Sequence, residues 1–98
     1  MPAYVVAIRE RIRHQEDYAR YKELAPESFR GFSPKRLSSQ ERFEVLEGAD
    51  ATKVTILEFP TFDEARQWYF SPAYQKVLDH RLRGADFRFI LVDGSENE

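Results

Sequence analysis

Four segments of the chain carry hydrophobic patterns that predict β-strands. Residues 3–8 are apolar at every position, which indicates a strand covered on both faces. Residues 54–59 form a second strongly apolar run. Along residues 86–92, Phe87, Phe89 and Leu91 occupy every second position and alternate with Arg88, Ile90 and Val92. The weakest strand is predicted at residues 35–39, and it resumes at residues 42–47 after a polar turn or distortion.

Two capped helices are predicted after the apolar run at residues 54–59. Pro60 stops the strand, and Thr61 with Glu64 has the spacing of a capping box. Ser71 is a second N-cap candidate, with Pro72 at the first helical position. The predicted buried stripes are Phe62, Ala65, Trp68 and Tyr69 in the first of these helices and Tyr74, Val77, Leu78 and Leu82 in the second, which ends near Gly84.

An earlier helix is predicted from about Gln15 to Ala25. Its apolar stripe consists of Tyr18, Tyr21, Leu24 and Ala25, at helical spacing. Residues 26–34 are irregular, but Phe29 and Phe32 should pin this segment to the core.

The predicted order is β-α-β-β-α-β, which is typical of the ferredoxin-like α+β fold with a four-stranded antiparallel sheet. Residues 1–94 are expected to form one domain, and residues 95–98 a polar, frayed tail. Helices cover only one face of such a sheet, yet three strands look apolar on both faces. The natural cover in a short chain is a second copy, so we expect a homodimer through the sheet faces.

Composition narrows the range of functions. The formal net charge of −2 gives no basic excess for nucleic-acid binding, and the absence of cysteine excludes disulfides and thiolate sites. His14 and His80 lack metal-ligand spacing, so we expect no metal, and no phosphate-binding or dinucleotide motif indicates another cofactor. A single axial histidine for haem stays open as an alternative. No signal peptide or membrane-length segment is evident, and the predicted location is cytoplasmic.

Five short motifs resemble those of a known family of small bacterial proteins. They are Glu-Val-Leu-Glu-Gly at 44–48, Leu-Glu-Phe-Pro at 57–60, Ala-Arg-Gln-Trp-Tyr at 65–69, Ser-Pro-Ala-Tyr at 71–74 and Leu-Val-Asp-Gly at 91–94. The resemblance covers nearly the whole chain, roughly from Tyr4 to Gly94, and the motifs occur in the expected order. The chain resembles the family catalogued as domain of unknown function 1330, within the dimeric α+β barrel superfamily.

The resemblance implies a ferredoxin-like protomer whose sheet packs on a partner's sheet in a barrel-like homodimer. Relatives in the superfamily include antibiotic-biosynthesis monooxygenases, haem-degrading enzymes and muconolactone-isomerase-like proteins, while this family has no established reaction. Most members have Gly-Gly before the second strand and Arg-Gly-Gly in the next hairpin. This chain has Ser33–Pro34 and Ser39–Gln40–Glu41 there, so a function that needs those glycines or that arginine is altered here.

Glu58 and Arg81 are the catalytic candidates. Glu58 ends an apolar strand within the family's Glu-Phe-Pro motif, and a carboxylate in apolar surroundings can act as a general acid or base. Arg81 matches an arginine common in the family and could clamp a carboxylate. The structural alternative for Glu58 is a hydrogen-bonded acid, and that for Arg81 is a cation at a helix C-terminus. For each residue the sequence favours the structural role over the catalytic one.

Tyr18, Trp68 and Tyr69 are the ligand-binding candidates. Aromatic side chains at core spacing could wall a cavity between helices and sheet, although such residues more often form plain core. Two functions follow. One is a homodimer that binds a small apolar or aromatic carboxylic compound, with cofactor-independent monooxygenase- or isomerase-like activity. The other is a non-catalytic dimeric module for ligand binding or stress-related regulation.

Overall fold

The computed structural model describes residues 1–38 and 42–95. The strands are β1 (Ala3–Ile12), β2 (Lys35–Arg36), β3 (Lys53–Phe59) and β4 (Ala85–Asp93), and the helices are α1 (Gln15–Leu24), α2 (Phe62–Tyr69) and α3 (Pro72–Gly84). A 3₁₀ turn over Ala25–Phe29 extends α1, as Pro26 at its start permits.

The sheet has the strand order β2-β3-β1-β4, and every neighbouring pair is antiparallel. This is the ferredoxin-like order, so the predicted α+β fold is confirmed. Val5 at the centre of β1 pairs with Leu57 of β3 and Leu91 of β4, and all three side chains join the core under the helices. Because strand side chains alternate, their sequence neighbours point to the face without helices.

Both predicted N-caps are present. The hydroxyl of Thr61 accepts a hydrogen bond from the backbone N–H of Glu64 at 3.0 Å, and that of Ser71 accepts one from Tyr74 at 3.1 Å. The Glu64 carboxylate accepts from the backbone N–H of Ser33 at 3.0 Å, so it ties the segment before β2 to α2 instead of closing the capping box.

The buried stripe of α3 differs from the prediction at its C-terminal end. Tyr74, Val77 and Leu78 are buried as predicted, but Leu82 is 56% exposed and Arg81 only 4% exposed. At about 100° per residue, position 81 lies about 20° from Tyr74 around the helix axis, whereas position 82 lies about 80° away. Helix geometry therefore places the arginine in the core.

The prediction of a strand at residues 42–47 is wrong. These residues have no regular secondary structure, and their side chains are exposed. The pairing of β2 with β3 ends early, where the Ser38 hydroxyl accepts from the backbone N–H of Ile56 at 2.9 Å in place of a ladder bond. Strand-forming side chains such as Phe43 and Val45 thus have no neighbouring backbone to pair with. Residues 39–41, predicted as a turn or distorted strand, lie outside the described residues.

Gly84 fixes the position of α1. Its carbonyl oxygen accepts from the backbone N–H groups of Arg13 and His14, at 2.7 and 3.0 Å. A Cβ at this position would lie 2.6 Å from the backbone nitrogen of Tyr18. Only glycine therefore lets the end of α3 and the start of α1 approach this closely.

Candidate ligand cavity

A cavity of about 340 Å³ lies between the sheet and the layer formed by α1 and the 3₁₀ turn. Its size is within the range of small-molecule sites, about 300 to 1,000 Å³. The apolar walls come from six elements of the fold: β1, α1, the 3₁₀ turn, β3, α2 and β4. The aromatic residues that line it are Tyr18, Tyr21, Phe29, Trp68, Phe87 and Phe89.

Tyr18 is buried and forms part of the cavity wall. It lies on the inner face of α1, with its ring centroid 6.0 Å from that of Phe87 on β4. Its hydroxyl accepts a hydrogen bond from the Arg9 guanidinium at 3.3 Å, and the ammonium of Lys22 lies 5.6 Å from its ring centroid. Tyr18 is thus part of the apolar wall and also contacts two cations, Arg9 and Lys22.

Trp68 closes the inner end of the cavity. Its ring stacks on that of Phe29 at 4.8 Å between centroids, and its indole N–H donates to the hydroxyl of the buried Ser28 at 3.0 Å. The indole is almost completely buried, so it is both core and cavity wall.

Positive charge surrounds the opening of the cavity. Lys22 and Arg36 line it and are exposed to solvent, and the partly buried Lys53 lies with them at the start of β3. Burial lowers the pKa of the Lys53 ammonium, and three neighbouring cations lower it further: Arg9, Lys22 and Arg36. None of the ion pairs between described residues involves these four cations.

Arg81 is buried directly behind the cavity wall. Its guanidinium carbon lies 4.2 Å from the ring centroid of Phe89 and 5.0 Å from that of Phe87. Its Nε has no hydrogen-bond partner in the described part of the chain, and no described carboxylate pairs with the guanidinium. The charge is therefore held chiefly by cation–π contacts.

Two tyrosine hydroxyls meet near Arg81, whose guanidinium carbon lies 5.8 Å from the ring centroid of Tyr21. The hydroxyls of Tyr21 and Tyr74 are 2.9 Å apart, and burial raises the pKa of both phenols. The charge of the Arg81 guanidinium acts on the pKa of the Tyr74 phenol in the opposite direction.

The structure brings only some of the predicted site residues together. Tyr18 and Trp68 line the cavity, and Arg81 lies behind its wall. Tyr69 lines a different cavity, of about 240 Å³, beneath α2. Glu58 pairs with Tyr4 in the register and lies between two residues that face the helices, so it belongs to the opposite face of the sheet.

The sequence interpretation missed Tyr21 and Lys53 as candidate site residues. Tyr21 belonged to the predicted apolar stripe, where nothing distinguishes a cavity wall from a filled core. Lys53 precedes the apolar run at residues 54–59 and resembles an ordinary solvated strand end. Lys53 becomes a candidate only in the folded structure, where α1 and β2 bring Lys22 and Arg36 beside it.

The described residues offer neither a metal-binding group nor a membrane-spanning helix. No group of three or more histidine, aspartate or glutamate side chains among them is arranged to hold a metal ion. No helix among them has the length and apolar character needed to cross a bilayer.

Comparison with known proteins places the chain by sequence and by fold. A family described as "Domain of unknown function (DUF1330)" matches residues 2–95, whereas no curated protein matches the chain.

Solved structures with the same fold include two bacterial proteins of low sequence identity. RPA0582, a protein of unknown function from Rhodopseudomonas palustris, is 23% identical with a TM-score of 0.72, over 98% of this chain and 84% of that one. A protein from Nitrosomonas europaea described as a "Putative antibiotic biosynthesis monooxygenase" is 18% identical with a TM-score of 0.51, over 96% and 98% of the two chains. At these identities the likeness shows the fold alone.

Proposed function

The chain belongs to the DUF1330 family, and on that premise we propose that it binds a small apolar or aromatic carboxylic compound in the cavity between α1 and the sheet. The observation that carries the proposal is the pairing of an aromatic cavity with an opening surrounded by cations. The aromatic walls suit the body of the ligand, and a carboxylate at the opening would relieve the repulsion among the cations.

Binding without turnover fits the geometry better than the predicted catalysis. Glu58, the candidate general acid or base, lies on the other face of the sheet and does not line the cavity. A group that acts on a proton must come within hydrogen-bond reach of it. The monooxygenase-like description of a structural neighbour concerns that protein, and at 18% identity it adds no reaction to this one.

The test compares a naphthalene carboxylate with a neutral partner of the same shape. Trp68 is the single tryptophan and lines the cavity, so its fluorescence should report occupancy. We expect 2-naphthoate to bind about tenfold more tightly than 2-naphthalenemethanol, and Lys53→Met to narrow that ratio. Lys76→Met, at an exposed position of α3, is the matched control. Equal binding of the two probes, or no binding of either, would refute the proposal.

We also propose that the face without helices is covered by a second copy of the chain. Val6, Ile8 and Ile56 are half-buried there, while Ile90 and Val92 are 48% and 46% exposed. Large contiguous apolar patches are rare on monomers, and a two-fold contact would pair this surface with itself.

Charged residues border this apolar face. The Arg88 guanidinium pairs with the Glu10 carboxylate at 3.2 Å at one end, and Glu58 lies at the other. An apolar centre with a polar rim is the usual anatomy of a protein interface.

Sedimentation at micromolar concentration tests the dimer. We expect wild type to sediment as a dimer and Ile90→Lys as a monomer, because a buried unpaired ammonium is costly. Leu82→Lys is the matched control, since Leu82 is similarly exposed but lies on α3. A monomeric wild-type protein, or an unaffected Ile90→Lys dimer, would contradict this proposal.

A further inference from the structure

Lys53 lines the aromatic cavity and is partly withdrawn from solvent. Side-chain alternation along β3 places Lys53, Thr55 and Leu57 on one face of the strand, and all three line the cavity. Lys53 is partly buried at this position. The other lysines of the chain are exposed, namely Lys22, Lys35 and Lys76. Lys53 thus combines a place in the cavity wall with partial burial of its primary amine.

A second cation lies directly beside Lys53. Arg9 on β1 is its cross-strand partner, on the face of the sheet that the helices cover. Like charges directly opposite each other in a sheet are destabilising. The Arg9 guanidinium is held in place because it donates to the Thr52 hydroxyl at 2.8 Å, the Thr52 carbonyl at 3.2 Å and the Tyr18 hydroxyl at 3.3 Å. Arg9 is therefore a fixed positive charge next to the amine.

Lys53 is the member of this group of cations that loses its proton most readily. A guanidinium stays protonated, whereas a lysine ammonium gives up its proton when it is desolvated beside other cations. Burial and the charges of Arg9, Lys22 and Arg36 all lower the pKa of the Lys53 ammonium. None of the ion pairs between described residues opposes this by holding the Lys53 charge. Lys53 therefore has a larger share of the neutral, nucleophilic amine than an exposed lysine.

We propose that the Lys53 amine binds a carbonyl-containing acid reversibly as an imine, while the neighbouring cations hold the carboxylate of that acid. The amine nitrogen forms a bond to the carbonyl carbon, and the carbonyl oxygen leaves as water with the two protons of the amine. The step needs no oxidant or reductant, and water reverses it. An imine is less basic than an amine, so its formation also removes positive charge from the group of cations and relieves their repulsion.

The position of Lys53 among the cations defines the class of ligand. Lys22 and Arg36 line the cavity together with Lys53, so the carboxylate and the reacting carbonyl must lie close together. A 2-oxo acid has these two groups on adjacent carbons. Its side chain is aromatic or apolar, because rings such as Phe29 and Phe87 form the rest of the wall. This inference rests on the proposed function, because it names the class of acid that the same cavity binds.

The test uses 2-oxo-4-phenylbutanoate and 4-phenylbutanoate, which differ only in the carbonyl group. Cyanoborohydride added with the oxo acid should reduce the imine to a stable amine. The mass of the protein should then increase by that of the acid less one oxygen atom, and peptide mapping should locate the adduct at Lys53. An excess of 4-phenylbutanoate should suppress this adduct, because it occupies the same cavity.

Lys53→Arg separates the amine from its charge. The variant keeps a cation at this position but cannot form an imine, so the adduct should disappear. Lys76→Arg, at an exposed position of α3, is the matched control and should be labelled as wild type is. Tryptophan fluorescence should show that wild type binds the oxo acid about tenfold more tightly than 4-phenylbutanoate, and that this ratio falls to about one in Lys53→Arg.

The outcomes distinguish this inference from the proposed function. An adduct that is spread over the exposed lysines, that persists in Lys53→Arg, or that never forms in a protein that binds 4-phenylbutanoate overturns the inference and leaves the proposed function intact. If neither acid binds wild type, the proposed function itself fails and this inference with it.

Discussion

The layer between helices and sheet has a filled half and a hollow half. In the filled half, where α2 meets α3 and β3, the rings of Trp68, Phe59 and Tyr74 are all less than 2% exposed and pack in direct contact. None of these three rings lines the smaller cavity beneath α2. Under α1, a similarly aromatic set that includes Phe87 leaves a cavity of about 340 Å³. Aromatic content alone therefore does not decide whether a region is core.

What separates the two halves is charge. Arg9, Lys22, Arg36 and Lys53, which form no ion pair with another described residue, lie beside the hollow half. Repulsion among cations destabilises the fold, and such local cost is typical of sites that bind something. The cations beside the hollow half therefore support the proposal that it is a binding site rather than a packing defect.

The largest expected effect comes from emptying the filled half. Trp68→Ala should lower the free energy of unfolding by about 3–5 kcal/mol, since it removes a buried ring and the hydrogen bond from its indole N–H to the hydroxyl of Ser28. Urea denaturation measures this, with the exposed Phe70→Ala as the control. A loss below about 1 kcal/mol would mean that Trp68 is cavity wall rather than core.

Gly84→Ala should disturb the wall of the hollow half. The new Cβ would clash with the backbone of Tyr18, so we expect a loss of about 1–3 kcal/mol and weaker binding of 2-naphthoate. Urea denaturation and tryptophan fluorescence measure the two effects. A variant that matches wild type in both would show that α1 can shift without consequence.

Lys53→Met should change stability and ligand binding in opposite directions. The lowered pKa means that the charged ammonium is disfavoured in the folded state, a penalty present at neutral pH and lost as pH rises toward the unfolded value of about 10.4. The variant should therefore be more stable near neutral pH, by at most about 0.5 kcal/mol for this partly exposed group, yet bind 2-naphthoate more weakly.

Urea denaturation near neutral pH and near pH about 10.5 checks the sign, because the advantage of the variant should shrink in alkali. A variant less stable than wild type near neutral pH, at equal packing, would contradict the claim that the cations repel one another.

The smallest effect concerns an ion-pair clamp beside the hollow half. Hydrogen bonds from Arg11 and Arg13 lower the pKa of the Asp86 carboxyl and hold the end of β1 against β4. A lowered folded-state pKa contributes stability above the unfolded value of about 4, and this is lost as pH falls through the folded value. Asp86→Asn should lower the melting temperature slightly at neutral pH but not near pH about 2. An equal decrease at both pH values would rule out the charge as its cause.

Local chemistry made most of the fold predictable from the sequence. The caps at Thr61 and Ser71 and the alternation in β4 act within a few residues, and each is present. Of the predicted α1 stripe, Tyr18 is buried, while Tyr21 and Leu24 pack partly buried against the core. The strand predicted at residues 42–47 failed because a strand depends on a distant partner backbone.

The site was less predictable than the fold because a cavity is the space that the side chains of several distant elements leave unfilled. Tyr18 and Trp68 were identified as aromatic candidates, but only the assembled layer distinguishes the filled half from the hollow one. The sequence shows that Glu58 lies on the opposite face of β3 from Leu57 and Phe59. It does not show which of the two faces the helices cover. Helix geometry places Arg81 on the buried face of α3. The sequence interpretation assigned Leu82 to that face instead, because Arg81 is charged.

The most direct test of the account is a chemical-shift map of the isotope-labelled protein titrated with 2-naphthoate. The account predicts that the largest changes in backbone amide resonances cluster at Tyr18, Lys53 and Phe87, around the hollow half, while β-strand residues such as Ile90 on the other face change little. Changes centred on that other face or on the cavity beneath α2, or no changes at millimolar ligand, would contradict it.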